Sequence, residues 1–127
     1  ATEGNAMMPR VEQMFFRRQV LIGIWDGHHG IALSGDDQTI CVAGTMDGYI
    51  AMVDRETFEY EIIPLSDDPK EAKPYWATSS RDGTQAYVSI SGLDKVTIVD
   101  YATRKVVAEV PVGNHPQRVR NGQLRLK

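Results

Sequence analysis

Residues 34–42 (SGDDQTICV) lie over residues 80–88 (SRDGTQAYV) when the chain is shifted by 46 positions. Without a gap, the same shift places residues 50–54 (IAMVD) on residues 96–100 (VTIVD). Two separate matches in one register indicate an internal repeat. The repeat therefore decides the fold, and the remainder of the chain is interpreted from it.

Each repeat is built from short alternating runs of β-branched and aromatic residues, separated by Gly and Asp turns. We therefore predict a four-stranded antiparallel meander in each repeat. The predicted strands are residues 29–33, 39–43, 49–54 and 58–63 in the first repeat, and 75–80, 85–90, 95–100 and 105–110 in the second. A repeat of about 40 to 50 residues with four strands is typical of a β-propeller blade.

Three segments of the second repeat resemble the YVTN-type β-propeller repeat: residues 86–89 (AYVS), 95–100 (KVTIVD) and 110–116 (VPVGNHP). The resemblance covers residues 20–119 and implies an all-β fold of propeller blades. Its motifs are specific for the fold and not for a function, because similar blades occur in lactonase-like enzymes, in surface and periplasmic binding proteins and in the haem d1 domain of nitrite reductase. The residues leave the compartment undetermined, and the resemblance favours a periplasmic or extracellular location.

The length of 127 residues predicts an incomplete propeller, because four blades need about 160 residues. We expect repeat units at residues 28–73 and 74–114 and a partial third unit from residue 115, where HPQRV echoes KPYWA at residue 73. Further strands are predicted at residues 20–25, 117–119 and 124–126. The missing blades are expected either in a longer chain, of which this is a fragment, or in identical subunits that close a ring.

Residues 1–19 do not resemble a blade and are interpreted as a leader or linker, separate from the blades at residues 20–127. Pro9, followed by Val11, Met14 and Phe15, is compatible with a short amphipathic helix. Such a helix would bind a partner or a membrane surface. The alternatives are a linker, a distorted strand of a preceding blade or an expression remnant.

Composition excludes several classes of protein. The net charge is −3 and the longest basic run is Arg17-Arg18, so we expect no nucleic-acid partner. Residues 20–25 form the longest apolar stretch, which is far shorter than the roughly 20 residues of a transmembrane helix. Cys41 is the single cysteine, so one chain holds neither an internal disulfide nor a cysteine-based zinc site.

The three histidines fall at the start of the first strand of a repeat, and first strands of propeller blades line the central channel. The repeat aligns His29 with Tyr75 and with Gln117. Trp76 departs from the YVTN-type pattern, which usually has Gly at this position. The predicted ligand-binding residues at the channel mouth are His29, Tyr75, Trp76, His115, Gln117 and Arg118.

The same histidines also allow a more specific interpretation, namely a metal site. Imidazoles from His28, His29 and His115 could hold zinc or copper, or serve as an axial haem ligand. Adjacent His28 and His29, however, point to opposite faces of a strand, so at most one of them faces a given centre. The favoured alternative is that these histidines bond the loops between blades, and no cofactor is predicted.

No catalytic constellation is recognised. Asp36, Asp37 and Asp82 fall in turns after a first strand, and Asp54 and Asp100 end third strands, so we interpret all five as turn-stabilising. No Gly-x-Ser-x-Gly motif occurs. The sequence therefore favours a non-catalytic binding or scaffold protein that holds a small ligand or a protein partner at the channel mouth. The alternative is part of an enzyme propeller, either a lactonase-like hydrolase or a metal- or haem-bearing oxidoreductase domain.

Overall fold

The structure, a computed structural model, describes residues 28–126. Of His28 it describes the backbone alone. These residues form two four-stranded antiparallel sheets, each with its strands in chain order. The first sheet contains β1 (His28–Leu33), β2 (Thr39–Gly44), β3 (Tyr49–Asp54) and β4 (Tyr60–Pro64); the second contains β5 (Pro74–Ser79), β6 (Gln85–Ile90), β7 (Lys95–Asp100) and β8 (Val106–Pro111). The all-β prediction of two propeller blades is confirmed. No helix among the described residues is long and apolar enough to cross a membrane.

The predicted strand limits differ most from the structure at the fourth strand of the first blade. β4 begins at Tyr60, two residues later than predicted, because the turn after β3 is closed by Phe58, whose amide donates to the Asp54 carbonyl oxygen at 2.9 Å. Phe58 has a φ of 62°, which a strand cannot continue through. The equivalent Arg104 has a φ of 57°, and β8 accordingly begins one residue later than predicted.

One helix was not predicted. Helix α1 (Pro69–Ala72) lies in the connection between the two sheets. The Asp68 carboxylate accepts a hydrogen bond from the Lys70 amide at 2.9 Å, and Pro69 occupies the first helical turn, where it needs no amide donor. A 3₁₀ turn at Ser91–Leu93 similarly replaces the simple turn expected between β6 and β7.

The strands predicted at residues 117–119 and 124–126 are not formed, and this part of the prediction is wrong. A strand requires a neighbouring strand that takes its backbone hydrogen bonds. The described chain offers no such neighbour here, and residues 116–121 contact the second sheet through side-chain hydrogen bonds instead. The predictions for residues 1–19 and 20–25 lie outside the described residues.

The two blades repeat their backbone geometry as well as their sequence. Positive φ values recur in pairs at equivalent positions: Asp37 with Gly83, Gly48 with Asp94, Phe58 with Arg104, and Lys73 with His115. Left-handed backbone is uncommon for residues other than glycine. Its recurrence shows that the same turns are built twice, and that the last of them, at His115, opens a third unit.

The core lies between the two sheets. It combines residues of β1, β2 and β3 with residues of β5, β6 and β7, and its buried members are Ala32, Cys41, Ala43, Ile50, Met52, Ala72, Ala77, Ala86, Val88, Ile90, Val99 and Tyr101. A second, smaller cluster of Val42, Ala51 and Val53 lies on the opposite face of the first sheet. The first sheet is therefore buried on both faces along β2 and β3.

Val88 tests this packing, because it is fully buried in β6 between the two sheets. We expect Val88→Asp to place an unpaired charge in this core and to lower the free energy of unfolding by about 3 to 5 kcal/mol, which is enough to unfold a marginal domain. Urea denaturation followed by circular dichroism measures the effect. Val107→Asp is the matched control, because Val107 in β8 is 51% exposed. Equal effects of the two substitutions would show that the strand register is wrong.

Candidate functional site

The first strands of the two blades, β1 and β5, are called the inner strands here. Each carries a β-bulge at the same repeat position. In the β1–β2 ladder, His28 pairs with Gly44 and Gly30 pairs with Ala43, which leaves His29 without a partner residue. In the β5–β6 ladder, Tyr75 is left out in the same way, between Pro74 and Trp76. A bulge bends the strand and re-aims the side chain of the extra residue. Both blades therefore turn one side chain out of the regular alternation at the start of the inner strand.

The two re-aimed side chains meet. The rings of His29 and Tyr75 are stacked, with their centroids 4.5 Å apart and their planes 20° from parallel. His29 is exposed and Tyr75 is half-buried. The pair thus forms a flat, partly solvated surface with an imidazole and a phenol at its rim, and it joins the two blades at their inner edge.

A second contact, between Trp76 and Arg118, involves the residue that follows Tyr75. The guanidinium carbon of Arg118 lies 5.1 Å from the centroid of a Trp76 ring, within the range of a cation–π contact. The Trp76 ring is half-buried and Arg118 is exposed. Among residues 28–126, no carboxylate forms an ion pair with Arg118. Its forked N–H donors are therefore available to an anion from outside these residues.

The repeat explains why these residues differ between blades. Gly30, Trp76 and Arg118 occupy equivalent positions. A Cβ at Gly30 would collide with the backbone of Trp76 and Ala77, so β5 packs directly on β1 at this point. At Trp76, by contrast, Arg118 of the following segment contacts an aromatic ring. The second blade therefore presents an aromatic ring where the first blade presents bare backbone.

Two of the predicted site residues have no described contact with these pairs. His115 is exposed, adopts a φ of 56°, and donates its amide to the Asp94 carboxylate at 2.8 Å. Gln117 is also exposed, and its carbonyl oxygen accepts a hydrogen bond from the Ser89 hydroxyl. Of the six predicted residues, the structure brings together His29 with Tyr75 and Trp76 with Arg118.

The alternative of a metal site at His28, His29 and His115 stays a hypothesis. The described residues contain no group of three or more His, Cys, Asp or Glu side chains that could hold a metal ion. The His28 side chain lies outside the described atoms.

The interpretation of the turn aspartates is confirmed for four of the five. Asp36 accepts hydrogen bonds from the Ser34 hydroxyl at 2.6 Å and the Gln38 amide at 3.1 Å, and Asp82 repeats both bonds with Ser80 and Thr84. Asp54 and Asp100 accept amide hydrogen bonds from Thr57 and Thr103. Asp37 contributes through its backbone, with a φ of 60° and an amide that donates a hydrogen bond to the Ser34 carbonyl oxygen.

A cleft of about 530 Å³ lies beside these turns, lined by residues of both blades that include Asp36, Asp82, Asp100, Tyr101 and Arg104. Its three carboxylates are already engaged in the turns, and Tyr101 shares a hydrogen bond of 2.7 Å with the Ser79 hydroxyl. Burial raises the pKa of Tyr101 to about 12, and burial raises the pKa of the Cys41 thiol to about 12. Both groups are protonated at neutral pH and are poor nucleophiles there.

Sequence reasoning placed the site at the start of the inner strands and missed the bulges that assemble it. Strand periodicity does not reveal an inserted residue, because the pattern on either side of it stays regular. The signal that was available is the alignment of His29 with Tyr75, which places a large ring side chain at the start of the first strand in both repeats.

No protein-family model and no curated protein sequence matches the chain. Solved β-propeller structures do match. Hydrazine synthase from Kuenenia stuttgartiensis is 23% identical over 71% of this chain and 24% of its own, with a TM-score of 0.60. Virginiamycin B lyase from Staphylococcus aureus is 19% identical over 76% and 32%, with a TM-score of 0.62. Apo AztD from Citrobacter koseri is 18% identical over 71% and 25%, with a TM-score of 0.55. The chain spans a quarter to a third of these proteins and shares their fold.

The turn aspartates give a test in which pH matters. Hydrogen bonds from Ser80 and Thr84 hold the pKa of Asp82 below its ordinary value of 3.8. Its stabilising contribution is therefore complete above the pKa of the unfolded chain and is lost as the pH falls through the lower folded-state pKa. We expect Asp82→Ala to lower the melting temperature at pH 7, and the difference from the unsubstituted protein to shrink as the pH falls below about 4.

Thermal denaturation over a pH series measures this difference. Asp67→Ala is the control, because Asp67 is exposed and the described residues give its side chain no hydrogen bond. A constant difference at every pH would assign the role of Asp82 to something other than its ionised carboxylate.

Proposed function

We propose that this chain is a non-catalytic β-propeller binding module that holds a small planar ligand at the inner edge of its blades. The observation that carries the proposal is the pair of equivalent β-bulges, which bring His29 and Tyr75 from separate blades into one ring stack. A bulge at this position interrupts ladder hydrogen bonds, and bulges are characteristic of sites where a side chain is re-aimed for binding. The stacked pair offers a flat face to a ligand.

The neighbouring pair indicates the chemistry of the ligand. Arg118 lies over Trp76 and has no carboxylate partner among the described residues. A guanidinium group on an aromatic ring is pre-organised for a planar anion, which it binds through two parallel N–H donors. An aromatic carboxylate satisfies both pairs, because its ring can stack on the rings of the site and its anionic group can reach Arg118. The proposed ligand class is therefore a small aromatic carboxylate.

The titratable groups away from the site support a binding role. The aspartates that line the cleft beside the turns are engaged in hydrogen bonds within those turns. The buried thiol of Cys41 and phenol of Tyr101 are protonated at neutral pH. A hydrolytic mechanism needs an activated nucleophile or a free general base, and none of these groups serves as one.

A second candidate is an enzyme in which these blades supply part of a pocket. It is favoured by the similar structures, which include a hydrazine synthase, a streptogramin B lyase and a virginiamycin B lyase. In that case the exposed imidazole of His29 would act as a general acid or base toward a substrate held by Tyr75, and the other catalytic groups would come from further blades. A lactonase-like or haem-bearing version additionally requires a metal or cofactor.

The ligand proposal is tested with two probes of matched shape, 2-naphthoate and 2-naphthalenemethanol. We expect 2-naphthoate to shift the backbone amide signals of Tyr75 and Trp76 in ¹H–¹⁵N NMR titrations. Arg118→Gln should weaken 2-naphthoate by about tenfold, because a charge-assisted hydrogen bond is lost, and should leave 2-naphthalenemethanol unchanged.

Arg81→Gln is the control, because it removes the same charge from an exposed arginine in the turn between β5 and β6. Equal weakening by Arg81→Gln and Arg118→Gln would reduce the effect to net charge and would overturn the assignment to Arg118. Shifts confined to residues away from the inner strands would overturn the site itself.

Metal analysis separates the binding module from the cofactor-bearing enzyme. The binding proposal predicts that the purified protein contains less than about 0.1 equivalent of zinc, calcium or copper and no haem absorbance. Inductively coupled plasma mass spectrometry and an absorption spectrum make the measurement. A metal or haem at one equivalent, retained through gel filtration, would favour the enzyme.

A further inference from the structure

The face of the second sheet that points away from the first sheet carries apolar side chains that are partly exposed. Strand pairing places Tyr87 opposite Ile98, Ser89 opposite Val96, and Val96 opposite Val110, so these side chains share one face. Val110 is 43% exposed, and Tyr87, Val96 and Ile98 are only partly buried. This docking face of Tyr87, Ser89, Val96, Ile98 and Val110 is largely apolar.

The same repeat positions in the first sheet form the core. The 46-residue shift and the ladder pairing relate the docking face to Cys41, Ala43, Ile50, Met52 and Ile63. The first four are fully buried against the second sheet, and Ile63 packs against the same cluster. The second sheet therefore carries, on its outer face, the surface that the first sheet uses to bind a blade.

The segment of residues 115–121 already lies against the docking face as β5 lies against the first sheet. The Thr45 hydroxyl donates to the Pro74 carbonyl oxygen at 2.6 Å, and its equivalent Ser91 donates to the Pro116 carbonyl oxygen. At the other end of the segment, the Asn121 side-chain amide donates to the Ser79 carbonyl oxygen.

This last bond also repeats one between the two blades, in which the Ser79 hydroxyl donates to the Leu33 carbonyl oxygen at 2.5 Å. Asn121 takes the place of Ser79, and Ser79 takes the place of Leu33. Lys73 and His115, which precede the two segments, both have positive φ, at 48° and 56°. One interface is thus built twice at both of its ends, although residues 117–121 do not themselves form a strand.

We propose that the docking face binds the second, third and fourth strands of a third blade of the same repeat type, carried in the same polypeptide, with residues 117–121 as its first strand. The observation that carries the proposal is the repetition of both inter-blade hydrogen bonds at Ser91 and Asn121. A strand added beside residues 117–121 would also supply the backbone partners whose lack keeps this segment from forming a strand.

The occupant is a continuation of the chain rather than a second copy. A second copy would present its first blade, and β1 of that blade would need the space that residues 115–121 occupy. The outer face of that first blade is itself covered, since Val42 and Ala51 are fully buried. A second copy would therefore have no free face to offer. Three strands that continue from residue 121 would not need to displace residues 115–121.

A graft tests the proposal with the chain's own blade. Residues 80–113 are copied after Asn121, in place of residues 122–127, because Asn121 is the equivalent of Ser79. We expect the copied β6, β7 and β8 to cover the docking face, so that hydrogen exchange at the amides of Val96 and Ile98 slows at least tenfold and the denaturant m-value rises with the added buried surface. A Gly/Ser tail of equal length is the matched control.

One further variant sharpens the outcome. The graft in which the copied Val88 is changed to Asp should lose the protection, because this side chain would face Val96 and Ile98 across the new interface. A graft whose Val96 and Ile98 amides exchange as fast as those of the Gly/Ser-tailed protein overturns the proposal, and so does a graft that stays unfolded beyond residue 121.

The alternative occupant has its own signature. If light scattering of the 127-residue chain shows a discrete dimer that Val110→Asp dissociates, the docking face binds a second copy and the proposal is wrong. Val110 is suited to this test because it is exposed at the edge strand β8, where the substitution leaves the core intact.

Discussion

The close approach of the inner strands β1 and β5 is the constraint on which the rest of the structure depends. A Cβ at Gly30 would collide with the backbone of β5, and Gly35 and Gly83 touch so closely that a side chain on either would collide with the other. The Gly35 amide donates to the Gly83 carbonyl oxygen at 2.9 Å. Side chains in the core grow with distance from this contact, from alanine in β1 and β5 to Ile50 and Met52 in β3. This gradient gives the pair of sheets the wedge shape that a propeller requires.

The same constraint explains why the site is built on bulges. An inner strand packed this tightly has no room on its blade-facing side for a large ring, as the glycine and alanine at its regular positions show. An inserted residue escapes the alternation, so it can carry a ring to the edge of the strand. His29 and Tyr75 are the inserted residues at equivalent positions of β1 and β5. The short distance between these strands then brings the two rings into contact.

The sequence was sufficient for the parts of the fold that depend on local chemistry. The Ser-x-Asp turns at residues 34–36 and 80–82 close through side-chain bonds between neighbours, and β3, β6 and β7 have the predicted limits. It was insufficient where a left-handed backbone conformation or a partner distant in the chain decides. Phe58 delays β4 through a left-handed turn, and residues 117–119 lack the strand that would pair with them. The position of the candidate site at the start of the first strands follows from the repeat, whereas the contact between His29 and Tyr75 depends on bulges that periodicity does not encode.

A comparison of the repeats separates structural positions from those available to function. Positions that hold blades together keep the same chemistry, as in the hydroxyl groups of Thr45 and Ser91, which both donate across a blade interface. Positions at the inner edge do not: glycine, tryptophan and arginine occupy one of them in three successive units. Tight packing cannot select for such different volumes at one place, because a ring fitted to Trp76 would not fit at Gly30. The close packing of β1 on β5 therefore fixes the residue at Gly30 but not those at Trp76 and Arg118, and this is the edge at which we place the proposed ligand.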